Sequence, residues 1–227
     1  MEQRAPSEQE LRAADELDNI VKAYDVRGLV PEQLSTEATW ALGVGFAELV
    51  DAPAIAVAHD MRDSSPALSR AFAEGAATTG ADVRIVGLAS TDMLYFVSGR
   101  YDMPGAMFTA SHNPAAYNGV KVCRAGAGPI SGETGLLQMA DTAKRLLRRE
   151  REAPQATQPG SITELAARDD YAAHLRSLVP LSAIRPLKVV VDAGNGMAGY
   201  TVPTVFSGLP LEVIACALRS SASSRCR

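Results

Sequence analysis

The sequence predicts an α/β protein, with a mixed sheet flanked by helices in a first domain and the opening part of a second, similar α/β domain. Short apolar runs alternate with segments of helical period along the whole chain, the pattern of strands feeding helices. A polar stretch with two prolines and a glycine, EREAPQATQPGS at 150–161, separates two such alternations. Apolar residues make up 47% and charged residues 21% of 227 residues, enough for a properly buried core. These observations set a first domain at 1–150, a linker at 151–161 and a partial second domain at 162–227.

Taken in order, Leu11, Ala14, Leu17 and Ile20 give weak helical periodicity near the start. Residues 54–58 (AIAVA) form a short apolar run of the kind a buried parallel strand shows. Ser65 and Pro66 then read as N-cap and first helical residue. The helix they open carries Leu68, Ala71, Phe72, Gly75, Ala76 and Thr79 on one face, and Gly80 stops it. Residues 83–87 are the next strand, 91–100 a short helix and 106–109 a third strand. Asn118-Gly119 is a strong turn signal, so 120–123 reads as a return strand. A long amphipathic helix follows over 131–149, with Leu136, Met139, Ala140, Ala143, Leu146 and Leu147 on one side. Beyond the linker the pattern gives a helix at 163–178, a strand at 187–191, a glycine-rich turn and a short helix.

Composition narrows the function classes. With 22 basic and 26 acidic residues the net charge is −4, which gives no reason to expect nucleic acid or an acidic membrane as partner. The N-terminus lacks a basic start and an apolar core segment, and no apolar run is long enough to span a bilayer, so the cytoplasm is the expected compartment. Cys123, Cys216 and Cys226 are odd in number and lack ligand spacing, which suggests neither a disulfide framework nor a zinc site.

TASHNP at 109–114 is the most informative segment. A serine directly after a buried strand sits at the strand's C-terminal mouth, where α/β folds place ligands. Asn113 and Pro114 impose a turn there that holds the hydroxyl outward and gathers backbone N–H groups for an anion. The plain alternative is a strand-to-turn connection with a solvated serine. GNGMAG at 194–199 has the spacing of a dinucleotide fingerprint, yet no acidic residue follows at the end of a next strand, so a structural turn is the better reading. His59, Asp60 and Asp63 hint at a metal, but Arg62 sits among them, and the segment reads as a loop beside the active face.

TASHNP followed by YNGVKV resembles the phosphoserine loop of the α-D-phosphohexomutases, closest to phosphomannomutase/phosphoglucomutase. KAYDVRG at 22–28 is similar to that family's N-terminal element, and VVDAGNG at 190–196 to the turn that opens its second domain. Three matches in the family's order are far more specific than any one. The resemblance implies an isomerase that interconverts hexose 1-phosphate and hexose 6-phosphate through a bisphosphate intermediate. Its partner is a small phosphosugar, with hexose 1,6-bisphosphate as activator and Mg²⁺ as cofactor.

By position, Ser111 would carry the transferred phosphoryl group and, through its phosphate, bind the metal. His112 would shuttle protons, as imidazoles commonly do near neutral pH. Lys121 would act as general base or phosphate-neutralising group, and Arg27 would stabilise transferring charge. Tyr24, Arg27 and Lys121 would touch substrate. Each has a plain alternative: His112 caps the turn, Lys121 is a solvated edge charge, and Arg27 pairs with Asp25 or Asp60.

The pattern also breaks. The family's second-domain acidic loop, which holds Mg²⁺, has no counterpart here, since Asp169 and Asp170 fall inside the helix before the second-domain strand. After Ile214 the chain reads ACALRSSASSRCR, without periodicity. The expectation is a truncated or frame-shifted product with an incomplete site, or, in the alternative, a catalytically inactive remnant or phosphoacceptor domain.

Overall fold

The computed structural model describes residues 4–154, 156–194 and 196–216. Its centre is a seven-stranded mixed sheet in the order β1 (Val26–Leu29), β5 (Tyr117–Arg124), β4 (Gly105–Phe108), β2 (Ala54–His59), β3 (Asp82–Leu88) and β7 (Ile162–Glu164). The short β6 (Gly128–Pro129) pairs with β5 off this path. β4, β2, β3 and β7 run parallel, whereas β5 is antiparallel to both β4 and β1. The predicted fold class is therefore the observed one.

Alternation along the central strands builds two layers. Ile55 and Val57 of β2, with Ala106 and Phe108 of β4, face one cluster; Ala56, Ala58 and Met107 face the other. Side chains two apart share a face of a strand, so a central strand covered on both sides is apolar at every position. The first face is covered by α1 (Glu8–Ile20), α2 (Thr36–Val50), α3 (Ser65–Ala77) and α5 (Leu137–Leu147). Phe46, Phe72 and Phe108 form its aromatic spine, with ring centroids 5.7 and 5.5 Å apart. The second face is covered by α4 (Thr91–Tyr101) and α6 (Arg168–Ser177), where Met93, Leu94, Val97 and Tyr171 are buried.

The N-terminal periodicity becomes a firm helix because its first turn is closed on itself. The Glu10 amide donates to Ser7 Oγ at 3.2 Å and the Ser7 amide to Glu10 Oε2 at 2.7 Å, a reciprocal cap. Lys144 of α5 then pairs with Asp18, and Arg148 and Arg149 just beyond the helix pair with Asp15 and Glu10.

Several sequence expectations shift. The cap of α3 is Ser64, one residue before the expected Ser65, and Pro66 still lies in the first turn. The helix expected over 131–149 opens as a π-helical turn, Gly132–Leu136, because Gly135 at φ +140 interrupts the regular spiral, and α5 ends at Leu147. The six residues assigned to its apolar side are all buried. The helix expected from 163 begins only at Arg168, because residues 162–164 extend the sheet beside β3. The preceding segment lies along the first unit, with the Ala156 and Gly160 amides donating to carbonyls of Thr78 and Ala77.

Further on, β8 (Leu187–Asp192), α7 (Ala198–Phe206) and β9 (Leu211–Cys216) make a two-stranded parallel unit. Gly194 at φ +51 donates its amide to Asp192 Oδ1, consistent with a structural turn in the glycine-rich segment. Cys226 and most of the irregular tail lie outside the described residues. Among the described residues, no helix is long and apolar enough to cross a membrane.

Candidate functional site

Residues 109–116 join β4 to β5 at the C-terminal mouth of the parallel strands. Ser111 is exposed and sits in the left-handed region at φ +53. A non-glycine residue there costs about 1 kcal/mol, so the surrounding contacts must hold it. The Ser111 amide donates to Thr109 Oγ1 at 3.1 Å, and Asn113 donates to the Ala110 carbonyl from its amide and its side chain, at 3.0 and 2.8 Å. The strongest brace comes from elsewhere. Arg62, in the turn after β2, donates to the carbonyls of Ser111, Asn113, Pro114 and Tyr117 at 2.7 to 2.9 Å.

Arg62 is itself anchored. Asp60 lies 3.4 Å from its Nε and accepts from its backbone amide and from Ser65 Oγ. Asn118 Nδ2 donates to both Ser64 Oγ and Ser65 Oγ, at 2.9 and 2.8 Å. Here the structure corrects the predicted Asn-Gly turn. Tyr117, Asn118 and Gly119 lie inside β5, opposite Leu29, Gly28 and Arg27 of β1. Asn118 is fully buried with its side chain satisfied across the sheet end, so tertiary partners override its local turn preference. A β-carbon on Gly119 would lie 2.3 Å from the Val26 carbonyl oxygen, which explains the glycine.

A second cluster flanks the loop. Asp25 Oδ2 accepts from Arg27 Nη2 at 2.5 Å and from Lys121 Nζ at 3.1 Å. Arg27 thus takes the salt bridge to Asp25 that the sequence offered as its plain alternative, while its Nε is buried with no hydrogen-bond partner. Burial pushes the Asp25 carboxyl up, but the hydrogen bonds and charges of Arg27 and Lys121 outweigh that and hold it below the ordinary carboxylate range. A lowered folded-state pKa means that this stabilisation is complete above the unfolded value of about 4 and lost as pH falls through the folded value. Asp25→Asn is expected to remove that acid-limb dependence and to cost about 1–3 kcal/mol near neutrality, the two cations being part-exposed. Urea titrations of both chains from neutral to acid pH check this; parallel stability curves would exclude Asp25 as the linked group.

The loop opens onto a cleft of about 840 Å³ whose lining includes Arg62, Asp92, Ser111, Lys121, Gly196 and Met197. Of the residues singled out in the sequence, Ser111 and Lys121 share this cleft; Arg27 reaches Lys121 only through Asp25. His112 Nδ1 is 3.4 Å from Ser111 Oγ, a long contact. Tyr24 is exposed and does not line the cleft. Sequence reasoning missed the organising roles of Asp25 and Arg62. Asp25 stood inside the quoted YDVRG segment, and its signal was an acid two residues before an arginine.

Among the described residues, no group of three or more His, Cys, Asp or Glu gathers that could hold a metal ion by itself. Asp60 and Asp25 are committed to cations, and Asp92 accepts from the Tyr171 hydroxyl.

A three-layer α/β/α unit with a serine loop braced over a polar cleft defines the class of protein. The family model described as phosphoglucomutase/phosphomannomutase, alpha/beta/alpha domain I, matches residues 18–145. The chain belongs to that family. It is 39% identical over 194 residues to phosphohexose mutases of Xanthomonas campestris pv. campestris, covering 85% of this chain and 42% of that protein. To a phosphomannomutase of Salmonella montevideo it is 35% identical over 201 residues, covering 85% and 43%. A phosphoglucomutase/phosphomannomutase family protein from Burkholderia thailandensis superposes with a TM-score of 0.75 at 32% identity, over 88% of this chain and 44% of that one. The chain therefore spans about two fifths of the length of the curated relatives it matches.

Proposed function

We propose that this chain carries the phosphoserine loop of a phosphomannomutase/phosphoglucomutase, with Ser111 as the phosphoryl acceptor and donor in the cytoplasm. The observation that carries the reading is the presentation of Ser111, exposed and held at positive φ on a cleft that Lys121 also lines. In the forward step Ser111 Oγ bonds to phosphorus as the bond from phosphorus to the bisphosphate's sugar oxygen breaks; the sugar hydroxyl gains the proton that the serine loses. Serine and sugar hydroxyls have similar basicity, so transfer runs in either direction with little bias. Lys121 serves as general base or neutralises the phosphate, Arg27 adds positive charge, and His112, with Nδ1 3.4 Å from Ser111 Oγ, is the proton shuttle. Tyr24 belongs to the substrate side of this reading. A Mg²⁺ bound to the phosphoserine would stabilise charge on the transferring group, with its carboxylate ligands coming from outside the described residues.

In this proposal residues 1–150 carry the serine loop, 151–161 are the linker and 162–227 open the second domain, although β7 and α6 at its start still pack on the first sheet. The second reading is a phosphoacceptor domain that takes a phosphoryl group without turnover, favoured by the lack of a carboxylate cluster among the described residues.

Incubation of the purified chain with labelled hexose 1,6-bisphosphate, Mg²⁺ and glucose 1-phosphate or mannose 1-phosphate tests both. Phosphate mapped to Ser111 by peptide mass spectrometry is expected. Label at another residue, or none on folded protein, refutes the proposal; sustained conversion to the 6-phosphate selects the mutase over the acceptor domain.

A further inference from the structure

We propose that Arg62 is the positioning residue of the serine loop, setting the backbone conformation in which Ser111 is presented. A guanidinium has five N–H donors in a rigid plane. Four of them sit on Nη1 and Nη2, and four carbonyls, three from the loop and one from the first residue of β5, meet them: Pro114 and Tyr117 at Nη1, Ser111 and Asn113 at Nη2. The fifth, on Nε, faces the Asp60 carboxylate. The loop therefore curls around one planar group, with a carbonyl for each terminal donor. To turn its own carbonyl onto Nη2, Ser111 adopts the left-handed backbone found there.

The brace reaches across the sheet end without touching the Ser111 hydroxyl. Asp60 fixes Arg62 from the same turn, and its amide donates to the Phe108 carbonyl at 2.9 Å, tying that turn to the end of β4. Ser65 links Asp60 to Asn118, at the start of β5. Both ends of the loop and the arginine that gathers it are thus held in one hydrogen-bonded frame. A lysine keeps the charge but concentrates its donors on one atom, and cannot serve four carbonyls spread along two edges of a plane.

The backbone part of this inference is independent of the function proposed above; its consequence for phosphoryl uptake rests on that reading. Amide exchange by NMR on the full chain, as wild type, Arg62→Lys and Arg62→Ala, tests it. The reporters are Asn113 and Tyr117, whose amides donate to the carbonyls of Ala110 and Pro114. In Arg62→Lys they are expected to exchange about tenfold faster or more while β2 amides keep wild-type rates, the mark of local opening. Millimolar methylguanidinium added to Arg62→Ala is expected to restore their protection. If Arg62→Ala does not fold, Arg62→Lys decides alone. Unchanged exchange at both reporters, or equal acceleration throughout the sheet, overturns the proposal. In a parallel arm, labelled hexose 1,6-bisphosphate is expected to phosphorylate Ser111 more slowly in Arg62→Lys than in the wild type. Absence of label on wild-type Ser111 would refute the function proposed above and leave the exchange result to judge Arg62.

Discussion

A Ser111→Ala chain is expected to take up no phosphoryl group from labelled hexose 1,6-bisphosphate, with incorporation falling to background while the protein stays folded. The loss is complete because the substitution removes the only atom of that residue able to form the ester bond; neighbouring charges can stabilise a transfer but cannot receive it. The fold should be spared for equally local reasons. Ser111 is exposed, its hydroxyl makes a single long contact with His112, and the residues around it are braced through backbone carbonyls that alanine also possesses. A stability change within about 0.5 kcal/mol is expected, as for other substitutions at exposed positions. Intact-mass measurement with a denaturation curve on the same sample separates the outcomes. Label retained on the folded alanine variant would move the acceptor to another residue.

Gly119→Ala is expected to do the reverse, destabilising the protein by about 3 kcal/mol while leaving every proposed chemical group in the sequence. The added carbon would meet the Val26 carbonyl oxygen at 2.3 Å and the Thr109 carbonyl oxygen at 3.1 Å. Both belong to backbone, so neither can swing aside as a side chain would. Relief requires β5 to move away from β1, breaking the register that sets Arg27 opposite Gly119 and Lys121 near Asp25. Such crowding ordinarily costs about 1–3 kcal/mol, and rigid neighbours put this case at the upper end. A urea midpoint for Gly119→Ala within error of the wild type would show that the two strands separate more easily than their contacts imply.

The layered core was legible because it follows from period. β2 reads as an uninterrupted apolar run since both of its faces are covered, and α5 shows its buried side at three- and four-residue steps. The Asn-Gly pair misled for a physical reason: turn propensity is local, whereas Asn118 is held by Ser64 and Ser65 more than fifty residues earlier. The strand β7 was missed because three residues, two of them polar and at an edge, carry no period to detect. The family was legible from three ordered segments, and the match to residues 18–145 agrees with it. Ser111 stood out because its segment is contiguous. Arg62 did not, since its four partners lie 49 to 55 residues further along the chain and only the fold makes them neighbours.

The edge strand β7 has a consequence for the order in which the molecule can be made. β2, β3 and β4 are contributed by residues 54–108 and can join as soon as that stretch has left the ribosome. The outer edge of β3 must wait for a partner, because Asp82 is bonded to Ser161, 79 residues later. Closure over so long a separation is slow relative to local pairing. During elongation the nascent sheet therefore passes through an interval with β3 uncovered, open to pairing with another chain. A pause in synthesis between residues 108 and 161 would lengthen that interval, and arrival of 162–164 ends it.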